Sequence, residues 1–339
     1  MTLIEAIKQF KSVSIVGMAK NTGKTTCLNY VVSRLQQEEL HLAITSIGVD
    51  GEERDVLYQT PKPRITITEP MIFITAENDY ANKEFPADVL KISERFTPLG
   101  RLITARAKGS GRVVLSGPSD SKWLTEMIEG MDTYGVQLTL VDGALSRLSL
   151  ASPAVTDAMI LCTGAACSAQ LSKVIDKTKF QCKLIDLEQV DQSKVHQLMP
   201  LEHDVWLWNE VCNEWIKIGD SVFTLEKESN EWMNQLHTLY VSGAVTDYFL
   251  KGLSRKRDRG IEIIVRDFTK LFIEPTTYER FVRRGGRIKV LQKAKLIAVC
   301  TNPVSPEGTH LNPIALRAKM EEALLLPVYD IKQIENSEI

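Results

Sequence analysis

The segment Gly17-Met18-Ala19-Lys20-Asn21-Thr22-Gly23-Lys24-Thr25-Thr26 determines how this chain is expected to fold, and we call Gly17–Thr26 the glycine loop. It follows an apolar run at Ser12–Val16 that predicts a strand, and it opens Lys24–Gln37, whose pattern predicts a helix. A glycine-containing turn from strand to helix with Gly-Lys-Thr is typical of loops that bind nucleotide phosphates. The sequence therefore predicts an α/β domain built around a phosphate-binding loop.

Each part of the glycine loop has a chemical role in this prediction. Gly23 lets the backbone approach phosphate oxygens without a Cβ atom in the way. Lys24 is expected to act catalytically by bridging the β- and γ-phosphates, and the Thr25 hydroxyl is expected to bind Mg²⁺. Backbone N–H groups at the start of the helix should form an anion-binding concavity. The predicted nucleotide-binding residues are Gly17, Lys20, Asn21, Thr22, Gly23, Lys24, Thr25 and Thr26.

Two aspartates follow predicted strands at places where a magnesium site needs a carboxylate. Asp50 comes after the strand at Leu42–Ile47, and Asp142 comes directly after Leu138–Val141. A carboxylate at a strand end can hold Mg²⁺ directly or through water, and it can orient an attacking water. Asp50 is therefore predicted as a metal-binding and catalytic residue, and Asp142 as a metal-binding residue. The alternative for each is an aspartate that only shapes a turn before glycine.

The spacing of the glycine loop resembles that of one group of P-loop proteins. Five residues rather than four separate Gly17 from Gly23, as in the Gly-x₅-Gly-Lys-Thr/Ser loop of dethiobiotin synthetases and cobyrinic-acid amidases. Their wider branch also holds ParA, the nitrogenase iron protein and metallochaperone GTPases. The strand ending at Asp142 looks like the acidic strand end of dethiobiotin synthetases. Lys20 is similar to the signature lysine of ParA-like proteins but stands one position later, so its role across a dimer interface is not carried over.

Over nearly its full length the chain resembles the smaller, KamB-type subunit of the lysine 5,6-aminomutase reactivase. The resemblance rests on Thr2–Ile7, Ser14–Thr26, Val141–Ala151, Leu239–Asp247 and Asn302–Gly308. It implies an ATP- and Mg²⁺-dependent protein that works with a MutS-like partner ATPase on an adenosylcobalamin-dependent aminomutase. Together they would exchange damaged cobalamin in an ATP-dependent reaction. Differential binding of a partner in two nucleotide states can supply the free energy for ejecting a tightly bound cofactor.

Other functions remain open at this point. A small-molecule kinase or ATP-dependent ligase of the dethiobiotin synthetase type would transfer the γ-phosphoryl group to a carboxylate or hydroxyl, with Ser146 and Arg147 near Asp142 as substrate contacts. A metallochaperone-type GTPase is disfavoured because no cysteine or histidine metal entrance is evident. The guanine-reading Asn-Lys-x-Asp motif is absent, which favours ATP over GTP. Asn302, before Pro303, either contacts a base or caps the turn.

The composition of the chain limits which binding partners and which cellular compartment we expect for it. The 339 residues carry a formal net charge of −2, so no global field attracts nucleic acid or an anionic membrane. No apolar run approaches the roughly 18 residues of a membrane span. Glu5 stands where a signal peptide would carry its basic region, which predicts a cytoplasmic protein. The six cysteines include no Cys-x-x-Cys pair and are expected to be reduced. A homodimer is compatible with this sequence.

The chain length predicts two domains. Residues 1–219 are expected to form the P-loop nucleotide-binding domain, with a mostly parallel sheet flanked by helices. Residues 220–339 are expected to form a smaller α/β domain that recognises a partner or substrate. Strands of the first domain are expected at Ser12–Val16, Leu42–Ile47, Ile65–Thr75, Arg101–Ala105, Val113–Ser116, Leu138–Val141 and Ala158–Cys162. Strands of the second are expected at Thr238–Val241, Ile261–Val265, Leu271–Ile273, Ile288–Val290, Leu296–Cys300 and Leu326–Tyr329.

Overall fold

The structure is a computed structural model that describes residues 2–46, 65–118, 120–144, 155–225, 237–256 and 260–337. The helices in these ranges are α1 (Leu3–Ile7), α2 (Lys24–Gln37), α3 (Glu77–Ala81), α4 (Ser121–Glu129), α5 (Leu171–Ile185), α6 (Gln192–Leu198), α7 (Val222–Leu225), α8 (Asp247–Lys256), α9 (Pro275–Arg283), α10 (Pro313–Leu324) and α11 (Ile331–Ser337). The strands are β1 (Ser12–Gly17), β2 (Leu42–Ser46), β3 (Ile65–Ile67), β4 (Ile72–Ala76), β5 (Ala87–Thr97), β6 (Gly100–Ala107), β7 (Gly111–Val113), β8 (Leu138–Ala144), β9 (Ala158–Gly164), β10 (Val205–Asn209), β11 (Glu214–Gly219), β12 (Thr238–Val241), β13 (Val245–Thr246), β14 (Glu262–Val265), β15 (Leu271–Phe272), β16 (Arg287–Val290), β17 (Leu296–Asn302) and β18 (Val328–Tyr329).

The chain divides into two compact units. The first comprises Met1–Lys179 together with Lys295–Ile339, and the second comprises Phe180–Ala294. This division differs from the predicted boundary between residues 219 and 220. The physical reason is that the chain returns to the first sheet after residue 294, where β17 pairs in parallel with β9 and β18 pairs with β17. The two last strands expected for the second domain therefore belong to the first unit.

The first unit contains a large, mostly parallel sheet, as predicted. Its strand order is β18-β17-β9-β1-β8-β2-β4-β6-β5, and the strands from β18 to β4 all run parallel. β6 is antiparallel to both of its neighbours. Helices cover both faces: Leu140 of β8 packs in one cluster with Leu28 of α2, while the next residue, Val141, packs with Leu124 of α4.

The second unit contains a smaller mixed sheet with the order β11-β10-β12-β14-β16. Its strands β12, β14 and β16 are parallel, and α8 and α9 connect them. Residues 205–219 contain three tryptophans and form an antiparallel hairpin of β10 and β11. Trp208 and Trp215 lie opposite each other in this hairpin, with ring centroids 5.2 Å apart. Within the described ranges, no helix is both long and apolar enough to cross a membrane.

Candidate functional site

The central strands of the first sheet bring distant parts of the sequence to one edge. β1 leads into the glycine loop, and it lies between β8, which carries Asp142, and β9, which carries Cys162. β17 follows on the far side of β9 and ends at Asn302. In open sheets of this type, ligands bind beyond the carboxyl ends of the parallel strands. The edge formed by β17, β9, β1 and β8 is therefore the candidate site.

The glycine loop is held in a compact turn by its own backbone and side chains. The Met18 N–H donates to the Cys162 carbonyl at 2.9 Å, and the Thr22 hydroxyl donates to the Ala19 carbonyl at 3.0 Å. A Cβ atom at Gly17 would lie 2.7 Å from Thr22 Oγ1, so this close turn requires glycine. Gly23 has a φ of 86°, in the left-handed region that favours glycine.

Asn302 ties the end of β17 to the glycine loop. Its Nδ2 atom donates to the Asn21 carbonyl at 3.1 Å, and its Oδ1 atom accepts from the Val304 N–H at 3.3 Å. A Cβ atom at Gly23 would lie 2.9 Å from Asn302 Cβ, so the two segments are in close contact. The turn-capping interpretation of Asn302 is confirmed. Its contact with the loop could not be predicted from sequence, because 281 residues separate it from Asn21.

Helix α2 begins without a side-chain cap. Its N-cap is Gly23, and its first turn carries no acidic residue. In contrast, α1, α4, α6 and α10 each begin with a side chain that accepts a hydrogen bond from a backbone N–H group, and α3 and α9, which lack such a cap, carry acidic residues in the first turn or at the N-cap. The first N–H groups of an α-helix have no partner within the helix and carry a partial positive charge. The start of α2 is therefore suited to an external anion.

Lys24 and Asp142 meet at this edge of the sheet. Lys24 Nζ lies 3.1 Å from Asp142 Oδ1, and the two side chains are 25% and 16% exposed. Oδ1 is buried, and within the described part of the chain it accepts no hydrogen bond of good geometry. This oxygen is thus in ionic contact with Lys24 but retains the capacity to bind a further positive group. Lys24 and Asp142, each predicted separately as a site residue, are thus in contact in the fold.

The residues at this edge fit a magnesium–triphosphate group on two observations. The backbone at Gly17 and Gly23 has no room for a side chain, and the first turn of α2 carries no acidic residue. The buried Oδ1 of Asp142 and the hydroxyl of the half-buried Thr25 are oxygen ligands of the kind that Mg²⁺ prefers. Mg²⁺ typically takes only one or two protein ligands and keeps water and phosphate oxygens.

The other predicted residues are distributed as follows. Thr26 is half-buried at the start of α2, whereas Lys20 and Asn21 are exposed. Asp50 lies outside the described residues, as do Ser146 and Arg147. Among the predicted residues distant in sequence, the structure places Lys24 in contact with Asp142.

A small pocket adjoins the glycine loop, and sequence reasoning missed its acidic residue. Asp330 follows β18, is 1% exposed, and accepts a hydrogen bond from the Gln333 N–H at 3.2 Å through Oδ1. Among the described residues its Oδ2 atom has no hydrogen-bond partner, and burial raises the pKa of Asp330. The pocket is lined by Thr22, Gly23, Thr26, Cys300, Thr301, Asn302, Asp330, Ile331 and Lys332.

Three buried cysteines lie beneath the loop, and we call Cys27, Cys162 and Cys300 the thiol cluster. All six cysteines of the chain are free, as predicted. Cys27 donates a hydrogen bond to Cys300, with 3.5 Å between the two sulfurs. The neighbouring thiols of Cys27 and Cys300 lower the pKa of Cys162, while the neighbouring Cys162 thiol together with burial raises the pKa of Cys27 and of Cys300.

Comparison of the sequence with models of protein families and with curated proteins, and of the fold with solved structures, found no match.

Proposed function

We propose that this chain binds a nucleoside triphosphate with Mg²⁺ at the glycine loop and hydrolyses it. The observation that carries the proposal is the combination at one sheet edge of the uncapped start of α2 and the Lys24–Asp142 contact of 3.1 Å. An anion is favoured at the helix start. A lysine with a neighbouring carboxylate can bind the phosphate through its ammonium group and the metal through the carboxylate. Asp50 remains proposed as a further metal-binding and catalytic residue.

The chain's own groups have distinct tasks in this proposal. The backbone N–H groups of the loop hold the β- and γ-phosphates, and Gly23 keeps the backbone free of a side chain. The Lys24 ammonium neutralises phosphate charge. Before the nucleotide binds, the contact with Asp142 holds this ammonium group at the edge of the sheet. Thr25 and Asp142 would hold Mg²⁺, which when bound neutralises charge that develops on the phosphate oxygens.

We further propose ATP as the nucleotide and a protein as the target of its turnover. The absence of an Asn-Lys-x-Asp motif supports ATP over GTP. The resemblance to the KamB-type reactivase subunit supports an adenosylcobalamin-dependent aminomutase and a partner ATPase as the target complex. In this role the ATP-bound and ADP-bound states bind the target with different affinities, and that difference drives the exchange of damaged cobalamin.

Turnover of ATP and GTP by the purified chain tests the proposal. Release of inorganic phosphate is measured for the chain alone, then with an inactivated cobalamin aminomutase and its partner ATPase, and then with a panel of carboxylate metabolites. We expect turnover that is stimulated by the protein partners. The absence of Mg-dependent nucleotide binding and turnover in every mixture would contradict the proposal.

A second candidate is a small-molecule kinase or ATP-dependent ligase. It is favoured by polar groups at the same sheet edge, on the β2 and β4 side of Asp142. The buried Ser116 donates to Asp79 Oδ2 at 2.6 Å, and the Ser46 hydroxyl donates to the Asp142 carbonyl at 3.2 Å. A small hydroxyl or carboxylate substrate could be positioned by such groups. Phosphate transfer or release that depends on a metabolite, and not on the protein partners, would favour this candidate.

A further inference from the structure

The thiol cluster lies where the strands and the helix of the glycine loop converge. Cys162 and Cys300 are register partners on the adjacent parallel strands β9 and β17, and Cys27 belongs to the first turn of α2. Their exposed fractions are 0% for Cys27, 0% for Cys162 and 3% for Cys300. The cluster is therefore part of the core that supports the site, and none of its sulfurs has a task in the proposed phosphate and magnesium chemistry.

Redox chemistry fits the cluster better than metal binding does. No group of three or more His, Cys, Asp or Glu side chains in the described part of the chain is arranged to hold a metal ion. Thiols in contact can form a disulfide, and Cys27 Sγ and Cys300 Sγ are 3.5 Å apart. The bond would require the sulfurs to approach to about 2.0 Å.

We expect a small oxidant to reach the cluster from the side of Cys300, which is 3% exposed. Cys300 lines the pocket beside the glycine loop, together with Thr22, Gly23 and Thr26. A ligand that covers the pocket would close the same route.

We propose that the thiol cluster is an oxidation site at which a peroxide links Cys27 to Cys300 and thereby disables the glycine loop. The loss of nucleotide binding in this inference rests on the proposed function. In the first step one of the two sulfurs attacks a peroxide oxygen, the O–O bond breaks, and a sulfenic acid and one water form. The other thiol then attacks that sulfur, the S–S bond forms, the S–O bond breaks, and a second water leaves. Two thiols lose two electrons and two protons, and the peroxide is reduced to water.

The disulfide would disturb both supports of the loop. Cys27 lies two residues after Thr25, and Cys300 lies two residues before Asn302, which holds the Asn21 carbonyl. Drawing the sulfurs together by about 1.5 Å moves the first turn of α2 relative to β17, and displacements of about 1 Å in binding groups have large effects. We expect the affinity for Mg-ATP to fall at least tenfold on oxidation and to return on reduction.

The test uses the full chain, first reduced with dithiothreitol and then treated with hydrogen peroxide. Disulfides are located by peptide mapping, and Mg-ATP affinity is measured by titration calorimetry before oxidation, after it, and after renewed reduction. The matched variants are Cys27→Ala, which removes one partner, and Cys182→Ala, which removes a buried cysteine of the second unit. If the Cys27→Ala variant does not fold, Cys300→Ala takes its place as the variant that lacks one partner of the disulfide.

We expect a Cys27–Cys300 disulfide, reversible loss of affinity in the wild type and in Cys182→Ala, and no oxidative loss in Cys27→Ala. A disulfide between other cysteines would overturn the inference, and so would full affinity in a chain that carries the Cys27–Cys300 bond. Reduced protein without Mg-ATP binding would contradict the proposed function itself. The peptide map would in that case still decide whether the oxidation site exists.

Discussion

Two connections from a parallel strand to a helix in this molecule have opposite chemistry. The glycine loop leads from β1 into α2, and residues 241–247, which we call the β12–α8 turn, lead from β12 toward α8. Both follow a parallel strand and contain a glycine, at Gly23 and at Gly243. Gly23 has a φ of 86° and touches Asn302, whereas a Cβ atom at Gly243 would meet nothing within 4 Å. Only the first glycine is required by its surroundings.

The charges at the two helix starts are reversed. Lys24 opens α2, and no acidic residue lies in that first turn. Asp247 opens α8, and Thr246 Oγ1 accepts a hydrogen bond from the Phe249 N–H at 3.3 Å. The negative charge and the hydroxyl satisfy the start of α8 internally, so an external anion is disfavoured there. The two turns therefore differ in the conformation of their glycines and in the sign of the charge at the start of the helix.

Alanine substitution of the two glycines is expected to give the largest difference in nucleotide affinity between the two turns. Gly23→Ala should lower Mg-ATP affinity by about 100-fold, because it strains the backbone and displaces Asn302. Gly243→Ala should change the affinity less than about twofold, because its Cβ atom has open space. Titration calorimetry on both folded variants checks this. Equal effects of the two substitutions would remove the distinction between the turns.

Substitution of Asp142 and of Asp247 by asparagine is expected to give the next largest difference in nucleotide affinity between the two turns. Asp142→Asn should weaken Mg-dependent ATP binding by about tenfold, because it removes a carboxylate proposed for the metal. ATP affinity measured without Mg²⁺ should change less. The matched control is Asp247→Asn in the β12–α8 turn, which should leave nucleotide affinity unaltered. A loss of equal size with and without Mg²⁺ would show that Asp142 does not act through the metal.

Asn302→Ala tests the support of the glycine loop. The variant loses the hydrogen bond to the Asn21 carbonyl, and we expect a decrease in Mg-ATP affinity of about fivefold. Asn312→Ala removes an asparagine that caps α10 and serves as the control for a general loss of stability. Equal nucleotide affinities of the two variants would show that the contact with Asn21 does not support binding.

Asp330 and Asp247 should have opposite effects on the pH dependence of stability. Burial raises the pKa of Asp330, so its contribution to stability is full below the unfolded pKa of about 4 and is lost as pH rises through the higher folded pKa. Burial alone would raise the pKa of Asp247, but hydrogen bonds from the Glu274 N–H and the Lys251 ammonium lower it. Its contribution is present above the unfolded pKa and is lost as pH falls through the folded pKa.

Urea unfolding as a function of pH measures this contrast. At pH 7 Asp330→Asn should raise the free energy of unfolding by up to about 1 kcal/mol, because asparagine retains the hydrogen bond to Gln333 without the buried charge. Asp247→Asn should lower it. A decrease in both variants would contradict the assigned effect of burial on Asp330.

The sequence predicted the local elements of the site better than the assembly of the sheet. β1, the glycine loop and α2 were correctly placed because a short apolar run, glycines and a helical pattern lie next to one another. The strand β17 was located but assigned to the wrong sheet. Its partner β9 lies more than a hundred residues earlier, and a local apolar pattern does not encode that pairing.

Elements with mixed patterns were missed. β5 mixes charged and apolar residues without a regular alternation, and it lies at the outer edge of the large sheet with most of its residues exposed. The roles of Asn302 and Asp330 at the site depend on long-range packing, and neither belongs to a local motif. Sequence reasoning thus located the glycine loop, whereas the residues that contact it from distant parts of the chain became visible only in the folded chain.

The most direct test of the central claim is Mg-ATP binding by Lys24→Ala compared with Lys251→Ala. Each substitution removes a lysine that pairs with an aspartate near a strand-to-helix turn, at 3.1 Å in the first case and 3.2 Å in the second. We predict that Lys24→Ala folds but loses about 100-fold or more in Mg-ATP affinity, while Lys251→Ala binds like the wild type. Retained tight Mg-ATP binding in a well-folded Lys24→Ala protein would contradict the account.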